Sequence, residues 1–185
     1  VKPLKATDYD FFGIGFDIGA TRAQNSITLT GFKRDFSSCA FFDKVTFKQC
    51  GYQQKTEVLK AFCLKCNAAG MHINYIAVDS AEQNYINDLR AEFKREGLPD
   101  VIPSYKATIK ERIDLLIVLM SSGKILFNDT EAGRNILQAY KIAVWEENKK
   151  GQEREDKNEW QNDVMDSAEY SLTRHMVALL RSCAK

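Results

Sequence analysis

No apolar run in the 185 residues approaches the ~20 needed to span a bilayer as a helix. The opening stretch, Val1 to Asp10, has no apolar signal-peptide core. Neither a membrane partner nor secretion is therefore expected. Net charge is scarce too. The 26 Lys and Arg stand against 25 Asp and Glu, leaving +1, so overall charge does not single out a polyanion partner. Any nucleic-acid contact has to come from local patches. Histidine is reduced to His72, just before a strand, and His175, near the apolar stripe of the last helix; both read as structural. The five cysteines, Cys39, Cys50, Cys63, Cys66 and Cys183, are odd in number. Without a secretory signal they are expected as reduced thiols in a cytosol. Cys63 and Cys66 form a CxxC, but no second ligand pair of suitable spacing accompanies it. The pair shares a helical pattern with Val58, Leu59 and Phe62, which favours packing over zinc or redox chemistry.

What is present is a globular composition, 44% hydrophobic and 28% charged, in a length suited to one domain with its own core. Because the chain opens on Val1 rather than Met, a fragment or processed product is expected. Phe11 to Ile18 (FFGIGFDI), Ser26 to Lys33 and Cys39 to Lys48 read as strands. The polar turn Arg34 to Ser38 joins the last two, so the three form an antiparallel meander. Thr56 to Ala69 reads as an amphipathic helix closed by Gly70. Ile73 to Asp79 reads as a fourth strand, and Ser80 with Gln83 as a capping box starting a helix that runs to about Arg95. Val101 to Tyr105 is a short strand. Thr108 and Glu111 form a second capping box, before a helix with Ile109, Ile113, Leu116, Ile117 and Met120 on one face.

Further on, Lys124 to Phe127 is a strand, Glu131 to Ala139 a helix, and Tyr140 to Trp145 a further strand. Glu146 to Glu159 is almost wholly charged or polar. It has nothing to bury and reads as a mobile loop. One last helix is expected from about Asn162 to Arg181, with the stripe Val164, Ala168, Leu172, Met176 and Leu179. This order predicts an α/β domain: a mixed central β-sheet flanked by helices on both faces.

Three acids stand out by position. Asp17 sits inside the first apolar strand, Asp79 ends the fourth, and Asp166 lies in the first turns of the last helix. Asp163, one turn earlier, shares a face with Asp166 and Tyr170, apart from the apolar stripe. Each alone is explicable as a turn or cap residue, although Asp17 lies within an apolar run, where a cap is not needed. If the first and fourth strands are neighbours, Asp17 and Asp79 meet at the strand ends, where ligand clefts of open α/β sheets form. Packed carboxylates resist ionising together, and a hard divalent cation such as Mg²⁺ or Mn²⁺ relieves that. Two such ions roughly 3.5–4 Å apart activate water and stabilise the leaving oxygen in phosphodiester cleavage.

The stretch Gly15 to Phe32 (GFDIGATRAQNSITLTGF), Tyr75 to Ser80 (YIAVDS), Ala107 to Leu116, Lys124 to Phe127, Gly133 to Tyr140, Trp145 and Asn162 to Tyr170 (NDVMDSAEY), taken in order, resemble the motifs of the C-terminal nuclease domain of tailed-bacteriophage terminase large subunits. The resemblance spans about Phe12 to Leu180. It implies an RNase H-like fold, a single nuclease domain over residues 1–185, and a metal-dependent endodeoxyribonuclease. Such an enzyme cuts double-stranded DNA with little sequence preference during packaging. It also implies Asp17, Asp79 and Asp166 as the catalytic, metal-binding triad for two Mg²⁺ or Mn²⁺ ions. Asp163 stands where the family often has His, as an auxiliary ligand or support. Ser167 and Glu169 replace the usual Ala and Arg, which puts a basic DNA contact from this helix in doubt. No GxxxxGK[ST] loop is present, consistent with an ATPase domain that lies upstream in the family. The implied partners are DNA, that ATPase domain, a small terminase subunit and the capsid portal, in the cytoplasm of an infected bacterial host.

Other readings compete. DIGAT at Asp17 to Thr21 also resembles the phosphate motif of the actin and sugar-kinase superfamily, but the chain is too short for its two lobes. Arg22, Lys33 and Arg34, around the first hairpin, are candidates for tracking a DNA backbone, or are a solvated hairpin tip. A non-catalytic DNA- or portal-binding module and a junction-resolving nuclease of the same fold are the functional alternatives.

Overall fold

The computed structural model describes residues 2–19, 24–105, 107–143 and 159–184. The strands β1 (Phe11–Asp17), β2 (Asn25–Phe32) and β3 (Cys39–Phe47) pair antiparallel in chain order, as the expected meander. Three short strands complete the sheet: β4 (Ile73–Val78), β5 (Asp100–Pro103) and β6 (Ile125–Phe127). β4 adds to β1 in parallel, β5 to β4, and β6 to β3, giving the order β5-β4-β1-β2-β3-β6. Between and after them lie α1 (Tyr52–Ala68), α2 (Gln83–Arg95), α3 (Ile109–Ser121), α4 (Glu131–Ile142), α5 (Glu159–Thr173) and α6 (Met176–Cys183).

Helices cover both faces, which is why the central strands are buried along nearly their whole length. On one face Ile14, Phe16, Ile27 and Leu29 pack with Leu59 and Phe62 of α1 and with Ile86, Leu89 and Phe93 of α2. On the other, Phe32, Phe41 and Ala77 pack with Leu116 of α3, Ile136 of α4, Val164 and Leu172 of α5 and Leu179 of α6. A ladder of hydroxyls runs through this second layer. Ser167 Oγ lies 2.9 Å from Ser26 Oγ and 2.8 Å from Thr28 Oγ1, and Ser171 Oγ lies 2.6 Å from Thr30 Oγ1. Each buried hydroxyl thus has a partner. Gly15 lets α5 come this close. A Cβ there would stand 1.8 Å from the Ser167 carbonyl oxygen and 2.5 Å from the Ser171 nitrogen.

Four differences from the sequence expectation are the main ones. The first helix begins at Tyr52 rather than Thr56. The Ser80–Gln83 capping box does not form. Asp79 Oδ1 accepts from the Ala81 nitrogen at 3.0 Å and turns the chain itself, so α2 starts only at Gln83, with Glu82 at its cap. Tyr140 continues α4, which buries Ile136 and Ala139 at helical spacing and ends at Ile142; Trp145 lies outside the described residues. The last helix is two, α5 and α6. Ser167, Ser171 and Thr173 each bond back to a carbonyl three residues earlier, a competition that weakens a helix. The break sets His175 against Phe11, Phe32, Phe36 and Tyr75. The Thr108–Glu111 capping box forms as expected, and the charged stretch 146–158 lies outside the described residues. No helix among the described residues is long and apolar enough to cross a membrane.

Candidate metal centre

Asp17 is the last residue of β1, and Asp79 follows β4 directly. The two strands are parallel neighbours with Phe16 opposite Val78, and the Asp79 nitrogen donates to the Phe16 carbonyl at 3.0 Å. The two acids therefore leave adjacent strands at the same end. α5 brings the others. Asp163 Oδ2 accepts from the Gln24 nitrogen at 2.9 Å, at the foot of β2, where Ser26 pairs with Asp17. Asp166 follows one turn later. Asp17 is only 8% exposed. Burial, then the charges of Asp166, Asp163 and Asp79, push its carboxyl well above the usual range, while Arg112 pulls the other way. The four acids singled out from sequence thus share one electrostatic neighbourhood.

Arg112 is the residue that sequence reasoning missed. It projects from α3, is 6% exposed, and donates from Nη2 to Asp166 Oδ1 at 2.8 Å. Its Nε lies 3.1 Å from Glu169 Oε2, an ion-pair distance without hydrogen-bond alignment. Its guanidinium carbon sits 4.9 Å from the Tyr170 ring centroid. Burial opposes the Arg112 charge, but Asp166 and Glu169 outweigh it. The Tyr170 hydroxyl is held well above its ordinary value by burial and by Asp166 and Asp17. A signal was present. The buried face of α3 is Arg112, Leu115, Leu116 and Leu119, a helical stripe with one charge in it. The apolar face expected from sequence is offset from it, and Ile117 and Met120 are 57% and 39% exposed.

No family model matches this chain, and no curated protein sequence does either. Solved structures do. The large terminase nuclease domain of bacteriophage SPP1, solved with bound Mn, superposes with a TM-score of 0.65 over 91% of this chain and 89% of that one, at 16% identity. The P22 large terminase nuclease domain gives 0.65 over 100% and 92%, at 13% identity. The Mn-soaked terminase nuclease domain of human cytomegalovirus gives 0.56 over 96% and 86%, at 11% identity.

The fold is that of terminase nuclease domains.

Within this RNase H-like terminase nuclease fold, the side-chain chemistry is the chain's own. Among the described residues, no group of three or more His, Cys, Asp or Glu side chains stands at the spacing of ligands around one metal ion. Three of the four acids have a local contact instead: Asp79 with Ala81, Asp163 with Gln24, Asp166 with Arg112. The donor set nonetheless fits a hard divalent cation, because it is all carboxylate and because Asp17 is buried among like charges. Ser167 and Glu169, two of the departures from the terminase motif, are internal. Ser167 belongs to the hydroxyl ladder, and Glu169, 1% exposed, faces Arg112. The cation of this cluster comes from α3, and the position expected to be basic on α5 serves as its counter-charge.

The remaining candidates lie elsewhere. Lys33 and Arg34 follow β2 at the end where Phe32 pairs with Phe11, so the whole of β1 separates them from Asp17. They belong to the second hairpin and not the first, because successive turns of a meander alternate ends. Arg22 lies outside the described residues. Cys63 and Cys66 are core residues of α1, and burial pushes each thiol up to about 12. Beside Asp79 a cleft of about 440 Å³ opens, lined in part by Ser80, Ser104, Tyr105, Thr173 and Arg174. Tyr105 is 65% exposed. The Arg174 guanidinium lies 5.0 Å from the Tyr75 ring centroid.

Proposed function

We propose that this chain is a metal-dependent endonuclease that cleaves double-stranded DNA, with little sequence preference, during viral genome packaging. Asp17, Asp79 and Asp166 would hold two Mg²⁺ or Mn²⁺ ions, with Asp163 as an auxiliary ligand or support. The observation that carries the reading is the meeting of Asp17, Asp79, Asp163 and Asp166 at one end of adjacent parallel strands, in a terminase nuclease fold. When bound, such ions supply an activated water and stabilise the leaving oxygen of a phosphodiester. The chain's own groups do the rest. β1 and β4 set the spacing of Asp17 and Asp79. Gln24 anchors Asp163 to the foot of β2, and Arg112 offsets part of the negative charge at Asp166. The cleft beside Asp79 offers Tyr105 as a face for a base and Arg174 as a cation for a phosphate. In the full packaging machine the partners would be an ATPase domain, a small terminase subunit and the capsid portal, in the host cytoplasm.

A second reading has an observation of its own. Asp79, Asp163 and Asp166 each have a local structural contact, as in a non-catalytic DNA- or portal-binding module. Cleavage of duplex and branched DNA by the wild type and by Asp17→Asn, Asp79→Asn and Asp166→Asn separates the possibilities. Metal-dependent duplex cleavage, lost in all three folded variants, supports the proposal. Wild-type rates in all three, or no metal-linked change in stability at all, point to the binding module. A preference for branched DNA points to a junction-resolving nuclease.

A further inference from the structure

Among the described residues, Arg112 is the only lysine or arginine in the buried class. A buried guanidinium is costly to keep unless its geometry is fully used. Glu169, 1% exposed and 3.1 Å from Nε, would suffice to balance its charge. The Arg112 fork is instead shared among three residues of one helix. The Glu169 carboxylate faces Nε, the Tyr170 ring lies 4.9 Å from the guanidinium carbon, and Nη2 donates to Asp166 Oδ1 at 2.8 Å. Glu169, Tyr170 and Asp166 all sit on α5 within about one turn, while Arg112 arrives from α3. The Tyr170 ring and the Glu169 charge flank a rigid planar group, and its Nη2 hydrogen bond ties that group to a carboxylate.

We infer that Arg112 is a positioning residue for Asp166: Glu169 and Tyr170 lock the guanidinium, and its Nη2 sets the Asp166 carboxylate beside Asp17 for metal binding. The inference rests on the metal-binding reading proposed above. Arg112 acts through Asp166, as an outer hydrogen-bond partner of a metal ligand does.

Titration calorimetry of Mn²⁺ into the full chain tests this, with metal-free thermal melts run alongside. Arg112→Met combined with Glu169→Met removes both buried charges and keeps apolar volume, so no lone charge is left in the interior. The double variant is expected to melt near the wild type yet to bind Mn²⁺ about tenfold more weakly or worse. Arg112→Lys keeps the charge but not the fork, and an intermediate loss is expected. A folded double variant that binds Mn²⁺ as well as the wild type, or more tightly, would overturn the inference and reduce the cluster to a structural ion pair. If the double variant does not fold, Arg112→Lys decides: weakened Mn²⁺ binding supports the positioning role, and unchanged binding overturns it. A wild-type chain that binds no Mn²⁺ takes down the metal reading, and the positioning role with it. That failure shows in the wild type, whereas failure of the inference alone shows only in the variants.

Discussion

The two ends of α5 bury titratable groups under opposite rules. Along its first half Asp163 and Asp166 crowd towards Asp17, and Arg112 is the buried cation between Asp166 and Glu169. Charge is kept inside there, and the neighbouring acids raise the cost of ionising Asp17. Beyond its C-terminal end, His175 is walled by Phe11, Phe32, Phe36 and Tyr75 at ring-centroid distances of 5.4, 5.3, 5.0 and 5.4 Å. There charge is excluded: burial, and then Arg174, lower the imidazole pKa to about 4. One helix thus separates a site short of positive charge, where Arg112 faces several acids, from a site that needs none. Only the first has an electrostatic reason to take up a ligand.

The largest effect is expected where both ends depend on the same contact. Gly15→Val would drive a side chain into the α5 backbone at Ser167 and Ser171, and neither atom can move without the helix. A loss of more than about 3 kcal/mol is expected, read by urea unfolding. A near-wild-type midpoint would mean that α5 does not seat on β1 as described.

At the charged end, Asp17→Asn removes one of the mutually repelling carboxylates. Its metal-free melting temperature is expected to rise by about 2–4 °C for each kcal/mol relieved. Wild type at Mn²⁺ a hundredfold above its Kd should gain about 2.7 kcal/mol, and the variant should lose most of that gain. The opposite pattern, a less stable variant with an intact Mn²⁺ shift, would make Asp17 a structural residue.

At the uncharged end the lever is pH. The folded imidazole titrates at about 4, against roughly 6.5 when unfolded. Across that window the unfolded chain binds more protons, so stability rises with pH. The contribution is complete above about 6.5 and is lost as pH falls towards 4. His175→Phe, which suits the aromatic surroundings, should flatten this slope relative to wild type in melts run from pH 7 to 4. Parallel pH profiles would contradict the neutral-cage account.

The smallest effects concern surface cations. Arg174→Ala, in the cleft beside Asp79, should weaken duplex binding a few-fold in fluorescence anisotropy, as loss of one phosphate contact does. Lys33→Ala with Arg34→Ala, a full strand away from the acids, should leave binding unchanged. The reverse result would move the DNA path to the other end of the sheet.

Much of this was legible in the residues, for identifiable reasons. The strand order showed because β1 to β3 are apolar runs with clear breaks, and the acids showed because Asp17 interrupts one such run and Asp79 closes another. Arg112 did not show. Two overlapping stripes fit α3, and only in the folded chain, where Arg112 meets Asp166 and Glu169 of α5, is the one that buries a charge chosen. Lys33 and Arg34 were assigned to the wrong hairpin, since a meander sends its successive turns to opposite ends of the sheet. The break between α5 and α6 was hidden because the apolar stripe continues from Leu172 to Met176 and Leu179. At the break the Ser171 and Thr173 hydroxyls bond back to carbonyls and His175 turns into an aromatic cage. Nor does periodicity reveal that an acid on α5 serves as counter-charge to an arginine 57 positions earlier.

The most direct test of the central claim is nicking of supercoiled plasmid by the purified chain in Mn²⁺, in Mg²⁺ and in EDTA, beside Asp79→Asn. The account predicts nicking that requires the metal and disappears in the variant while its fold is retained. Nicking that persists in EDTA or in folded Asp79→Asn would contradict it, because the acids gathered at the end of β1 and β4 would then not be what cuts.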